Sequence, residues 1–318
     1  DGDLAARRPA GVGHLALPEL ALPPGPRVLG APVLLARSAR AGRLLRRAAR
    51  SADAVLVNGF LALPAVALGR LDAPVTWLVH DVLRRPEWFA VLKAVGPAVD
   101  RVVAVSHAAA APLRERGLDT VVVHNGVTWP VDPAPLDHSG RVVGCVAALT
   151  PWKGHEVLLD AAALLPDDVR LELAGTGFAK DDAYVARLRA RADAPDLRGR
   201  VRFLGRVDAL ATMRRWTVGV SASVEPEACP LVVLEGMSVG LPLVATALGG
   251  SQELLEGGVG TLVPPSSPEA LAAGIMALLE DPQRRAAQAA RGREAVAEHF
   301  RADVQRARQL DAVLRRTT

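Results

Sequence analysis

Short Val-rich apolar runs alternate along the whole chain with Ala/Leu/Arg segments of helical length, and no other feature of the sequence constrains the fold as strongly. Runs that are apolar throughout, rather than apolar and polar in turn, predict strands buried on both faces. The helical segments between them supply the cover, so the pattern predicts βαβ units feeding mostly parallel sheets. In the first half the predicted strands are 54–58, 75–80, 102–106 and 120–124, ending in the polar residues Asn58, His80, Ser106 and His124. In the second half they are 141–146, 169–174, 201–204, 218–221, 243–245 and 260–263. From Pro268 onward the reading is helical, with breaks at Pro282 and near Phe300 and Arg301. The stretch 127–140 carries three prolines and no period, which predicts a linker. At 318 residues the chain exceeds one ordinary core. The predicted division is an N-terminal Rossmann-like domain over 1–133 and a C-terminal one over 134–318.

Composition narrows the function. Half the residues are apolar and 23% are charged, so a packed core forms readily and disorder is disfavoured. No apolar run reaches the ~18 residues of a membrane span, and the start lacks a signal-peptide pattern. The expected location is cytoplasmic, or peripheral to the inner face of a membrane. A net charge of +4 suits an anionic partner, but aromatic residues are only 3% and do not interleave with the arginines, which argues against nucleic acid. The two cysteines, Cys145 and Cys229, are far apart and lack metal-ligand spacing, so they read as buried small hydrophobes. Residues 36–50 predict a helix with Arg37, Arg40, Arg43, Arg46, Arg47 and Arg50 on one half of its wheel. Such a helix presents either a solvated face or a face for anionic lipid.

The densest chemical signal is the stretch from Ser221 to Glu253. Glu227 and Glu235 stand seven residues apart, with Cys229, Pro230 and Leu231 opening a helix between them. A Pro at a helix start leaves free N–H groups at a positive dipole end, a seat for diphosphate oxygens. Glu227 before the helix can face a sugar and Glu235 within it can reach paired ribose hydroxyls, the alternative for such a pair being two solvated carboxylates. Lys153, in a loop between a strand and a helix, offers an ammonium to a departing diphosphate. Gly175 and Gly177 permit close backbone approach.

The pair Glu227 and Glu235, followed by GMSVGLPLVAT, Gly249, Gly250 and Glu253, resembles the donor-site signature of the retaining GT-B glycosyltransferases of family 4. Pro151-Trp152-Lys153-Gly154 resembles that family's lysine-glycine turn, and Leu173 to Gly177 its second glycine loop. Val201 to Asp208, with Arg206 and Val207, resembles the segment whose backbone meets the nucleotide base. Asn58-Gly59, His80-Asp81, Ser106 and His124-Asn125-Gly126-Val127 resemble strand-end motifs of the acceptor domain. The resemblance therefore implies an α/β fold of GT-B type, two Rossmann-like domains with parallel sheets facing across a cleft. Lys153, Glu227 and His80 are the expected catalytic residues. Gly175, Gly177, Arg206, Val207, Cys229, Pro230, Leu231 and Glu235 are expected to bind the donor, and Asn58, Asp81, Ser106 and Asn125 to line the acceptor side. Two departures stand out. Ala147 and Ala148 occupy places where the family carries an arginine, and the family's first strand and glycine-rich loop should precede Asp1. By domain size the chain looks shortened by roughly fifty residues.

The implied reaction is transfer of a sugar from a nucleotide-sugar donor to an acceptor hydroxyl with retention at the anomeric carbon. No metal and no cofactor are expected, since Lys153 and helix dipoles take the cationic role. The acceptor, whether glycan, lipid-linked or small molecule, stays open. One alternative is a sugar-nucleotide-binding protein without turnover, and another is a nucleotide-sugar epimerase. A dehydrogenase is disfavoured because no G-x-G-x-x-G follows a strand with an acidic residue at the right distance.

Overall fold

The structure, a computed structural model, describes residues 13–20, 27–133 and 140–314. The chain forms two compact units: one takes in the residues up to Val79, Arg85–Val102 and those from Val313, the other His80–Arg84 and Val103–Ala312.

A four-stranded sheet carries the strands in the order β1 (Val55–Asn58), β2 (Val75–Val79), β3 (Arg101–Ala104), β4 (Thr120–Val122). β1 and β2 pair in parallel, Val55 opposite Val75. β2 is buried along its full length, as a strand covered on both faces requires. Helix α1 (Arg27–Ala48) lies on α2 (Leu63–Gly69) at a crossing of two glycines. A Cβ on Gly42 would stand 2.5 Å from the Ala65 carbonyl oxygen, and one on Gly69 2.7 Å from that of Gly42. Only glycine lets the backbones approach this closely. The buried stripe of α1 is Ser38, Ala41 and Gly42, while Arg40, Arg43, Arg46 and Arg47 are exposed. The helix begins at Arg27, nine residues before its predicted start, and accommodates Pro32, whose missing N–H removes one bond near that end. Further on come α3 (Pro86–Val95), after β2, and α4 (His107–Arg114), after β3.

The second sheet has six parallel strands in the order β10-β9-β8-β5-β6-β7. They are β5 (Val142–Val146), β6 (Arg170–Ala174), β7 (Val201–Gly205), β8 (Val218–Ser221), β9 (Leu243–Thr246) and β10 (Thr261–Val263). All ten strands thus lie within two residues of their predicted ends. Between and after them run α5 (His155–Ala163), α6 (Asp182–Ala192), α7 (Ala209–Met213), α8 (Leu231–Val239), α9 (Gly250–Leu255), α10 (Pro268–Glu280), α11 (Pro282–His299) and α12 (Ala302–Leu314). The core joins Val143 and Cys145 of β5, Leu171 and Leu173 of β6 and Val218 and Val220 of β8 to Leu158 and Leu159 of α5 and Ile275 of α10. Gly144 makes room for the Trp216 ring, which would lie 1.9 Å from a Cβ there, and the Trp216 indole donates to Glu172 Oε2 at 2.8 Å.

The breaks at Pro282 and residues 300–301 are present. Asp281 caps α11 through the Arg284 N–H at 2.9 Å, as a capping carboxylate does. Val127 bridges Arg301, exchanging backbone hydrogen bonds with Phe300 and Ala302 at 2.9 Å. Of the predicted linker, 134–139 lie outside the described residues, and the flanking residues 128–133 form no helix or strand.

In this sheet the chain turns outward in opposite directions from β5, to β6 on one side and to β8 on the other. The carboxyl ends of these strands mark the switch point where ligands of open α/β sheets bind. Lys153 follows β5 and Glu227 follows β8.

Candidate functional site

The turn after β5 is a single 3-10 turn, Pro151–Lys153, closed by Gly154 at φ +68°. A Cβ on Gly154 would stand 1.9 Å from the Ala222 carbonyl oxygen, so the turn is pressed against the segment after β8. The Val224 N–H, donating to the Trp152 carbonyl at 2.9 Å, fastens the two.

This contact brings Lys153 Nζ to 2.5 Å from Glu227 Oε2, with the side chains only 13% and 11% exposed. The ammonium also lies 4.0 Å from the centre of the Trp152 ring, a cation–π contact. The other carboxylate oxygen, Glu227 Oε1, accepts from Ser223 Oγ at 2.5 Å. The Ser223 carbonyl accepts in turn from Thr246 Oγ1 at 2.7 Å. The Glu227 carbonyl accepts the Gly250 N–H at 2.7 Å, and Gly249, at φ +54°, passes so near that a Cβ would lie 2.3 Å from the same oxygen. Both ions are therefore held in a nearly dry setting where an unpaired charge would be costly.

Burial sets the chemistry around the pair. Cys145, in β5, is pushed up to about 12 by burial, and Cys229 likewise to about 12. Both are thiols at neutral pH, as small buried hydrophobes should be. His155, fully buried at the start of α5, is drawn down to about 4, first by burial and then by the Lys153 ammonium.

Pro230 caps α8 without a side-chain hydrogen bond. The N–H groups of Leu231 and Val232 have no hydrogen-bond partner among the described residues. Glu235, in the second turn, is half-buried, and burial raises its pKa, with the Asp208 carboxylate adding to the rise. Gly175, at φ +144°, packs against Ala147, whose carbonyl oxygen would be 1.9 Å from a Cβ. The Gly175 N–H donates to the Gly205 carbonyl at 2.8 Å, so the segments after β5, β6 and β7 converge. A Cβ on Gly177 would meet Val185 at 2.7 Å. Arg206 is exposed and Val207 half-buried beside them. Asn125 Nδ2 donates to the Cys229 carbonyl at 3.3 Å.

The remaining expected residues stand at or just after the ends of β1, β2 and β3. Ser106 is fully buried and accepts the Ala109 N–H at 3.0 Å as the cap of α4, so its hydroxyl oxygen serves the fold. His80 and Asp81 follow β2; partial burial lowers the His80 pKa while the Asp81 carboxylate opposes it. Asn58 ends β1, exposed, in the other compact unit. Sequence reasoning missed Ser223, Thr246 and the cation–π role of Trp152. Ser223, four residues before Glu227, carried a legible signal as a hydroxyl close to the carboxylate. It also gave no role to Glu253, whose Oε2 accepts the His107 N–H at 3.0 Å and whose Oε1 stands 3.9 Å from His124 Nε2.

Known proteins resemble this chain in sequence and in fold. The chain matches phosphatidyl-myo-inositol mannosyltransferases of Mycobacterium leprae at 37% identity over 156 residues and of Mycolicibacterium smegmatis at 33% over 193. These matches cover 46% and 57% of the chain and 39% and 48% of the two relatives, so it spans about half or less of their length. The crystal structure of Anabaena HepE in complex with UDP and glucose superposes with a TM-score of 0.75 at 27% identity, covering 85% of this chain and 80% of that one. The two Rossmann-like sheets are those of the GT-B class. The profile described as Glycosyltransferase Family 4 matches residues 2–128, and that described as Glycosyl transferases group 1 matches 132–295, just over half the chain. The chain belongs to the group 1 glycosyl transferases.

Proposed function

We propose that the protein transfers a hexose from a nucleotide-sugar donor to an acceptor hydroxyl with retention at the anomeric carbon, and without a metal. The observation that carries this reading is the Lys153–Glu227 pair, set at the strand switch point a few residues ahead of the α8 N–H groups that have no partner among the described residues. A bound donor lays its diphosphate against those N–H groups and the Lys153 ammonium. Charge then grows on the departing phosphate as the anomeric carbon gains oxocarbenium character. Positioned cations and dipoles stabilise that charge most where water is excluded. Glu227 orients the sugar, and Glu235 holds the ribose. Arg206 and Val207 offer backbone to the base, His80 is assigned to catalysis, and Asp81, Asn58 and Asn125 to the acceptor side. That mannosyltransferases and a UDP-binding structure are among the relatives supports a nucleotide-sugar donor.

The acceptor we propose is a glycan or a lipid-linked hydroxyl. Among the described residues no helix is long and apolar enough to cross a membrane. The exposed arginines of α1 are proposed as a peripheral contact with the anionic inner face.

The test is product formation from UDP-glucose and GDP-mannose with simple glycoside acceptors, with the anomeric configuration of the product read by NMR. A product of inverted configuration overturns the retaining assignment. Nucleotide binding without product favours the second reading, a binding protein without turnover. That reading draws on Ala147 and Ala148 standing where the resemblance calls for an arginine.

A further inference from the structure

We infer that Ser223 is a positioning residue, holding the Glu227 carboxylate in place when the Lys153 ammonium turns to the diphosphate of a nucleotide sugar. The inference rests on the donor-site reading above and adds a residue to it.

The Glu227 carboxylate has two side-chain donors among the described residues, Lys153 Nζ on one oxygen and Ser223 Oγ on the other, each at 2.5 Å. They differ in what happens when a donor arrives. A diphosphate carries more charge than one carboxylate and competes for the ammonium, which sits on a flexible four-carbon stem. Glu227 then keeps only the partner that does not move. Ser223 is that partner. It is 2% exposed, and its carbonyl accepts from Thr246 Oγ1 at 2.7 Å, Thr246 itself being 2% exposed at the end of β9. The next residue, Val224, is fastened to the Trp152 carbonyl. Ser223 is therefore anchored by strand, turn and neighbouring loop, none of which depends on Lys153 Nζ.

The backbone of Glu227 is fixed as well, through the Gly250 N–H, but three side-chain torsions separate that anchor from the carboxylate. Without the hydroxyl the carboxylate can follow the ammonium toward the diphosphate or swing away from the sugar. A displacement of about 1 Å at a reacting centre typically costs on the order of 10² in rate. Because the hydroxyl proton is committed to Glu227, Ser223 acts through that residue.

The experiment is a double-variant cycle in the full chain, with Ser223→Ala, Glu227→Gln and both together. Turnover is measured on UDP-glucose and GDP-mannose, and affinity for UDP and GDP by calorimetry. Ser223→Ala should lower kcat by about 10- to 100-fold while nucleoside diphosphate affinity stays within about threefold. In the Glu227→Gln background the same change should cost nothing further, because the group it positions has lost its charge. An unchanged kcat in Ser223→Ala, or losses that multiply in the double variant, overturns the Ser223 assignment and leaves the donor site standing. If Ser223→Ala fails to fold, Ser223→Cys, close in volume and a weaker donor, enters the cycle with the same expectations. A wild-type chain that binds either nucleotide but forms no product moves the readout to the ratio of nucleotide-sugar to nucleoside diphosphate affinity. Ser223→Ala must lower that ratio, and an unchanged ratio overturns the assignment. A wild-type chain that neither turns over nor binds UDP or GDP overturns the donor-site reading, and this inference with it.

Discussion

Two carboxylates and one imidazole make separable predictions at the scale of single residues. Glu235 lies in the second turn of α8, half-buried, and Glu227 precedes the helix in a nearly dry ion pair. Glu235→Gln should weaken UDP or GDP and the matching nucleotide sugar alike, because the ribose is common to both and a charged acceptor is about twice as strong as a neutral one. Glu227→Gln should leave nucleoside diphosphate affinity nearly intact and lower kcat. Calorimetry beside turnover decides, and equal loss of nucleotide affinity in both variants would refute the division. His155 predicts a dependence of stability on pH. Its folded pKa of about 4 lies below the ordinary 6.5, so the unfolded chain binds the proton first as pH falls. The full stability holds above pH 6.5 and is lost through the window down to pH 4, by about 3 kcal/mol at about 1.4 kcal/mol per pH unit. In urea titrations His155→Leu should lose about 2 kcal/mol less than wild type between pH 7 and pH 5. A parallel loss in both proteins would assign the acid sensitivity elsewhere.

Among the elements, the glycine turns decide how close the loops come. Gly154 and Gly117 share a left-handed backbone, at φ +68° and +78°, but a Cβ meets the Ala222 carbonyl at 1.9 Å in the first and nothing within 4 Å in the second. Gly117→Ala should cost only the backbone penalty, about 1 kcal/mol. Gly154→Ala carries the same penalty plus a clash that must push the turn after β5 away from the segment after β8, and should cost about 3 kcal/mol. Denaturant midpoints on the two variants test this, and equal costs would show that the loops yield freely. Because the turn carries Lys153, Gly154→Ala should also lower turnover in the fraction that stays folded. The element pattern itself was legible in sequence. Val-rich runs bounded by polar residues gave the strands, and Pro268 and Pro282 marked the helices near the C-terminus. The start of α1 was not legible, since Pro32 reads locally as a breaker while the helix continues through it.

For the molecule as a whole, the balance of charge yields one prediction. With +4 net charge and exposed arginines on α1, the full chain should cosediment with phosphatidylserine vesicles and not with phosphatidylcholine vesicles. Each arginine near the surface contributes about 1 kcal/mol, so binding should fall steeply as salt rises. Replacing Arg40, Arg43, Arg46 and Arg47 by Gln should abolish it, and undiminished binding would place the contact elsewhere. By itself the sequence determined the two parallel sheets, the order of their strands along the chain and the candidate roles of Lys153, Glu227 and Glu235. The sheets follow from local hydrophobic runs, which neighbouring residues fix, and the candidate roles from the resemblance of the Lys153-Gly154 turn and the Glu227-to-Glu235 stretch to family 4. Tertiary structure alone decided what Lys153 touches. Its partner Glu227 lies 74 residues away along the chain, and the two meet only because β5 and β8 are adjacent in the sheet and Gly154 lets the turns close on each other. The same long-range packing buried Ser223 against Thr246, because strand adjacency and burial arise from the whole sheet rather than from any segment of it.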